Sequence, residues 1–168
     1  MEQNSLENLE KKELITLVDS LLWQYRLIDA FWFINIEKQY GLSVAEKINE
    51  KVWEKIGGLS AKDIKKKFNI KEKGIKGFLR VMDFYPWKLV DCFQIEDLGK
   101  ELIITSSNCP AQLARKKHGL GEYVCKEMHL KEFITFANEI DPDIKIECLF
   151  APPDPHPDDI FCKFRVYK

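Results

Sequence analysis

The sequence has no uninterrupted apolar run, no basic-then-apolar leader and no surplus of either charge. Its most apolar stretch, residues 14–36, is broken by Asp19, Gln24, Arg26 and Asp29, which argues against a membrane span. Residues 1–10 are polar and acidic, so a secretory signal is not expected. A net charge of −1 leaves no global field to draw the chain to nucleic acid or a membrane. Internal repeats, low-complexity linkers and a Cys-x-x-Cys knuckle are also missing. The expected compartment is the reducing cytoplasm, where the five cysteines are thiols or metal ligands rather than disulfides.

What is present fits one globular domain spanning 1–168, large enough to build a core without covalent staples. The aromatic share is 12%, with four Trp and eleven Phe, so buried rings are expected to carry much of the packing. The fold expected is α+β: an N-terminal helical bundle (1–86) packed on a ββααββ unit (87–168) with a four-stranded antiparallel sheet.

In the first half, Ser5 can cap a turn, and Leu14, Leu17, Val18, Leu21, Leu22 and Tyr25 recur at helical spacing up to Gly41. Residues 27–36 are apolar nearly all round, which predicts a helix through the centre of the core. Ser43-x-x-Glu46 reads as a capping box opening a helix that Gly57-Gly58 closes. Ser60-x-x-Asp63 then opens a short basic helix, and Ile75, Phe78, Leu79 and Met82 mark another, ended by Pro86.

In the second half the period changes. Leu89, Asp91, Phe93 and Ile95 alternate, and residues 102–105 continue as a β-branched run, predicting a hairpin. Asn108-Cys109-Pro110 looks like an N-cap with proline at the first helical position. A helix over about 126–140 follows, stopped by Asp141-Pro142, and two alternating segments around Ile146 and Phe164 give a second hairpin with a Pro-rich connection.

Cys109 and Cys125 each precede a predicted helix, where free N–H groups and the helix dipole favour the thiolate. Cys148 and Cys162 fall on the inward faces of paired strands. Two helix starts and two strands can bring four sulfurs together as a tetrahedral metal site requires. The intervals of 16, 23 and 14 residues between them do not by themselves separate such a site from buried core thiols. Cys92 reads as a core or half-buried thiol on the first strand.

Asn108-Cys-Pro-Ala-Gln-Leu-Ala, Cys125, Cys148 and Phe161-Cys-Lys-Phe-Arg-Val together resemble the ending of 4-vinyl reductase-type small-molecule-binding domains. They are also similar to the L-2-amino-thiazoline-4-carboxylic acid hydrolase-like family. Over its whole length the chain looks most like an uncharacterised family of cytosolic bacterial and archaeal proteins. Its marks are Trp32-Phe33, Trp53-Glu54, Cys109-x-x-Gln112-x-x-Arg115, Cys125, Asp141-Pro142 and Pro152-Pro-Asp-x-His156-Pro. The vinyl-reductase resemblance implies a metal, zinc with iron as the alternative, held by Cys109, Cys125, Cys148 and Cys162 beside an apolar pocket. His156 is a competing ligand. The hydrolase-like resemblance implies a metal-assisted hydrolase of a small cyclic or amide-like substrate.

Other residues complete the candidate site. The loop around Pro152-Pro153-Asp154-Pro155-His156-Pro157 is stiffened by its prolines, and can hold Asp154 or His156 as the base that activates a water. Arg26 and Asp29 stand three apart on one helix, an expected ion pair; Arg26 or Arg115 can meet a ligand carboxylate, and Trp32 can wall an aromatic pocket. His118 and His129 read as surface or satisfied residues. Residues 62–80 carry eight Lys/Arg against two Asp/Glu, a solvated helix face or a nucleic-acid patch. Three functions are therefore weighed. The favoured one is a small-molecule-binding protein with a cysteine-ligated metal. The others are the hydrolase, including a metal-free form with Cys109 as nucleophile, and a nucleic-acid binder. A homodimer is the assembly left open.

Overall fold

A computed structural model describes residues 6–90 and 92–168; the expected cap Ser5 and the strand residue Asp91 lie outside them. Two long helices come first, α1 (Lys11–Tyr40) and α2 (Leu42–Lys67), with a single residue between them. That residue is Gly41 at φ +87°, a backbone conformation that side chains other than glycine rarely adopt. The reversal lays α2 back along α1, so that Tyr25 meets Trp53 at 6.3 Å. Helices α3 (Gly74–Met82) and α4 (Pro86–Leu89) follow. Then come β1 (Gln94–Asp97), β2 (Glu101–Ser106), α5 (Pro110–Lys117), α6 (Lys126–Asn138), β3 (Lys145–Phe150) and β4 (Cys162–Tyr167). The chain is an α+β fold, as expected.

The four strands form one antiparallel sheet in the order β1-β2-β4-β3. Two hairpins are joined through their second strands, with Leu102 opposite Val166 and Ile104 opposite Phe164. Alternation puts these four side chains on the buried face, where Phe133 and Phe136 of α6 and Phe78 and Met82 of α3 cover them. Full burial of each such ring contributes roughly 1.5–3 kcal/mol.

Four expectations for the helical half are corrected. Gly57-Gly58 does not end a helix; α2 runs straight through it, and Ser60-x-x-Asp63 opens nothing. The reason is tertiary. A Cβ on Gly57 would stand 2.3 Å from the carbonyl oxygen of Glu132 on α6, so the glycine exists for helix–helix contact rather than for termination. Nor does Ser43 cap α2, whose N-cap is Gly41 without a side-chain bond. Finally, α1 is not a central core helix. Phe33 is its only buried residue, while Ile28 is 70% and Phe31 58% exposed. Its inner side packs on α2 and borders a cavity; Leu14, Val18, Leu21 and Ile28 remain on its outside. Leu89 belongs to α4 rather than to the first strand, which begins at Gln94.

Among the described residues, no helix is long and apolar enough to cross a membrane.

Candidate functional site

A second, smaller apolar cluster lies away from the sheet, where Phe33 of α1, Ala45 and Trp53 of α2, and Tyr123, Cys125 and Met128 pack together. Its aromatic rings are in direct contact: Tyr25, Trp53 and Trp87 meet at 5.5–6.3 Å between centroids, at the tilted and edge-on angles that aromatic pairs prefer. Beside them is a cavity of about 270 Å³ bordered by α1, Trp87 and α5, with Trp23, Arg26, Asp29, Phe33 and Tyr123 among its walls. A narrower recess of about 30 Å³ adjoins it. Asp29, Trp87, Pro110, Ala111 and Tyr123 border both spaces, so they form the neck between them. The recess ends on Cys92, Cys109 and His129.

Local sequence explains how each group arrives there. Cys109 is the N-cap of α5 with Pro110 in the first turn, which places its sulfur at the helix's positive end. Gln112, one turn on, is fully buried and ties down the segment before α6. Its amide donates to the Tyr123 carbonyl at 2.9 Å and to Cys125 Sγ at 3.5 Å, and its oxygen accepts the Tyr123 N–H. His129 and Glu132 are one turn apart on α6, with Nδ1 2.8 Å from Glu132 Oε2. Glu132, 1% exposed, also accepts the hydroxyl of Tyr85. A carboxylate this deep requires such partners.

The electrostatics follow. Contact with the Cys92 thiol, opposed by burial, and then the Gln112 backbone N–H and the His129 charge hold Cys109 down at about 7. Cys92 is pushed up by the same contact and by burial. Burial opposes a charge on His129, but the bond to Glu132, with the Glu132, Cys109 and Asp29 charges behind it, raises its pKa above the usual imidazole value. Burial and the nearby Glu132 charge lift Asp29 to about 6, against hydrogen bonds from Trp32 and Trp53. A low thiol and raised acids around one recess are the pattern that reactive sites share.

The predicted residues divide accordingly. Arg26 and Asp29 both border the large cavity, but the expected ion pair between them is not formed; Asp29 is held by indoles instead. Trp32 does not face the cavity and serves as one of those donors. Arg115 reaches the cavity wall, yet Glu37 grips it in a fork at 2.6 and 3.2 Å and the Gly121 and Leu120 carbonyls take its other donors. Asp154 and His156 stand away from both spaces. Asp154 accepts from Lys126 at 2.8 Å, and His156 bonds Glu122 at 3.0 Å and Pro157 at 2.9 Å. Their loop fastens the start of α6, since the Pro152 carbonyl accepts the N–H groups of Cys125 and Lys126.

Of the four cysteines, Cys109, Cys125 and Cys162 are buried and Cys148 half-buried. The negative forms of Cys109, Cys125 and Cys148 oppose ionisation of Cys162, so the sulfurs share one neighbourhood. Among the described residues, however, no three His, Cys, Asp or Glu side chains come together as a group that could hold a metal ion. The donors as placed do not fit a four-thiolate centre. In residues 62–80, Lys67 pairs with Asp63 and Arg80 with Asp83, as on an ordinary solvated surface.

Sequence reasoning missed His129, Glu132 and Tyr85 as a connected set. The His-x-x-Glu spacing on one helix was visible, but the cavity that gives it meaning was not.

Residues 7–167 match the model of a family of unknown function, DUF6125, and the chain belongs to that family. No curated protein and no solved structure matches it.

Proposed function

We propose that this member of DUF6125 binds a small, largely apolar molecule in the cavity between α1, Trp87 and α5. The observation that carries the reading is the cavity itself: about 270 Å³, walled by aromatic side chains, with one carboxyl group, Asp29, at its inner neck. Binding sites have this composition, apolar walls with a few placed polar groups that fix orientation. The ligand's apolar body lies against Trp23, Phe33 and Trp87, and its polar end points to Asp29. Among the described residues of the wall, Arg26 is the cation without a carboxylate partner, because Arg115 is already bound by Glu37. The reading needs no metal, and none of its steps uses the four-cysteine centre. The exposed apolar side of α1 is the surface a homodimer would cover.

Ala30 and Ala114 border the cavity and are exposed on their helices, so larger residues can enter there without disturbing the core. Ligand-observed NMR with 2-naphthol as probe is expected to show saturable binding to the wild type. The Ala30→Phe and Ala114→Phe variants should weaken it by at least ~10-fold, a loss of about 1.4 kcal/mol. Absence of saturable binding, or equal binding to both plugged variants, sinks the reading.

A further inference from the structure

We propose that Cys109 is a nucleophile that accepts the acyl group of a small apolar ester at the neck of the cavity, with His129 as its acid–base partner. The inference rests on the binding cavity described above and assigns it a substrate class. Three independent features of the geometry converge. Cys109 sits at the N-terminus of an eight-residue helix and borders the narrow recess. His129 borders the same recess from the opposite element, α6. Its Nδ1 is fixed on Glu132 at 2.8 Å, so Nε2 is the nitrogen left for chemistry, and Glu132 is itself held by the Tyr85 hydroxyl. Nucleophile, base and orienting carboxylate are the parts that acyl transfer by a thiol needs.

The recess admits little more than the reacting group, since about 30 Å³ is on the scale of one water molecule. The larger chamber outside receives the apolar body of the ester. Simple alkylation of a thiolate requires no buried base. A histidine oriented by a carboxylate is needed where a proton must be taken up and then given back. That requirement fits acyl transfer, and the ester is the proposed acyl donor.

The steps balance without any added oxidant or reductant. The Cys109 thiolate forms a bond to the carbonyl carbon, and the C=O electron pair moves to oxygen. As that pair returns, the bond to the alkoxy oxygen breaks, and the alcohol leaves with the proton carried by His129 Nε2. Water then gives a proton to His129 while its oxygen bonds the acyl carbon. The C–S bond breaks, the carboxylic acid departs, and the thiolate is restored. Groups that face Cys109 from the surrounding elements are Cys92 before β1, Cys125, Tyr123 and His129 around α6, and Cys162 on β4. None of these other thiols stands at a helix start beside the histidine except Cys125, which burial raises well above an ordinary thiol and whose sulfur Gln112 already contacts.

The test uses the full chain and p-nitrophenyl butyrate. Mixing should give a burst of p-nitrophenol close to one per chain, then a slower steady release. Intact mass after rapid acid quenching should show one butyryl group, placed on Cys109 by peptide mapping of the unaltered protein. Cys109→Ser should abolish the burst, and His129→Asn should lower the steady rate by at least ~100-fold. Glu132→Gln tests positioning: kcat should fall while KM is unchanged. Circular dichroism of each variant separates lost chemistry from lost folding. Acyl groups found on other cysteines, or no acyl-enzyme in the wild type, overturn the assignment. If 2-naphthol still binds in that case, the cavity reading survives alone. If Cys109 is acylated and 2-naphthol does not bind, the nucleophile stands and the cavity reading falls.

Discussion

Among the described residues two histidine–carboxylate pairs occur; their bond lengths and the exposure of their histidines are alike, and the carboxylates and surroundings differ. His129–Glu132 and His156–Glu122 are joined at 2.8 and 3.0 Å. The first is buried within α6, bonded onward to Tyr85, and borders a recess shared with a thiol. The second belongs to a Pro-rich surface loop, with Glu122 28% exposed and the other ring nitrogen of His156 spent on Pro157. A pair of this kind acquires chemistry from its surroundings. One pair has a cavity and a nucleophile beside it; the other holds a loop.

The sharpest way to break this contrast is to remove each carboxylate. Glu132→Ala should leave the Tyr85 hydroxyl and His129 buried without their partner, at a cost of about 3 kcal/mol or more. Glu122→Ala, at a partly hydrated pair, should cost less than about 1 kcal/mol. Urea unfolding of both variants measures the difference, and equal losses would erase it.

A second comparison concerns the backbone that supports Glu132. Gly57→Ala would drive a methyl group into the Glu132 carbonyl at 2.3 Å, whereas at Gly58 the nearest atom is 3.5 Å away. The first substitution should destabilise by roughly 1–3 kcal/mol through overpacking. The second should be neutral or stabilise by up to about 1 kcal/mol through helix propensity. Thermal unfolding of the two variants gives opposite shifts if the α2–α6 contact is as close as described.

A third comparison tests the electrostatics of the neck. Asp29 titrates near 6 in the folded protein, above its ordinary 3.8. The folded state therefore binds the proton more tightly, and this group's contribution to stability declines as pH rises from about 4 to 6, remaining low above that range. Asp29→Asn should remove the decline and gain on the order of 2 kcal/mol at pH 7 relative to pH 4. The measurement is the difference between wild-type and variant stability across that range, which cancels other carboxylates. A difference independent of pH would mean that Asp29 is not held in a dry, acidic neighbourhood.

The second half of the chain was read closely from sequence because its signals are local. Alternation gave β4 its buried face and β3 its half-buried one, and Cys109-Pro110 and Asp141-Pro142 marked where α5 starts and where α6 stops. Asp141 also accepts from the Gly74 and Asp143 amides and from Lys168, a role that no local pattern displays. The first half was read less well. An apolar segment such as residues 27–36 looks the same whether it is enclosed by protein or borders a cavity, and α1 does the latter. Gly57-Gly58 has the appearance of a stop until the neighbouring helix is seen.

The candidate site divides along the same line. Sequence alone determined the element classes, the thiol at a helix start and the His-x-x-Glu spacing, because each depends on neighbours within a turn or a strand. Tertiary structure decided which histidine and which acid matter. It moved Asp154 and His156 away from the cavity, locked Arg115 onto Glu37, left Asp29 to two indoles and set Cys109 opposite His129. Those outcomes depend on the long-range packing of α1, α2, α5 and α6, where burial and partner choice are fixed by residues dozens of positions apart.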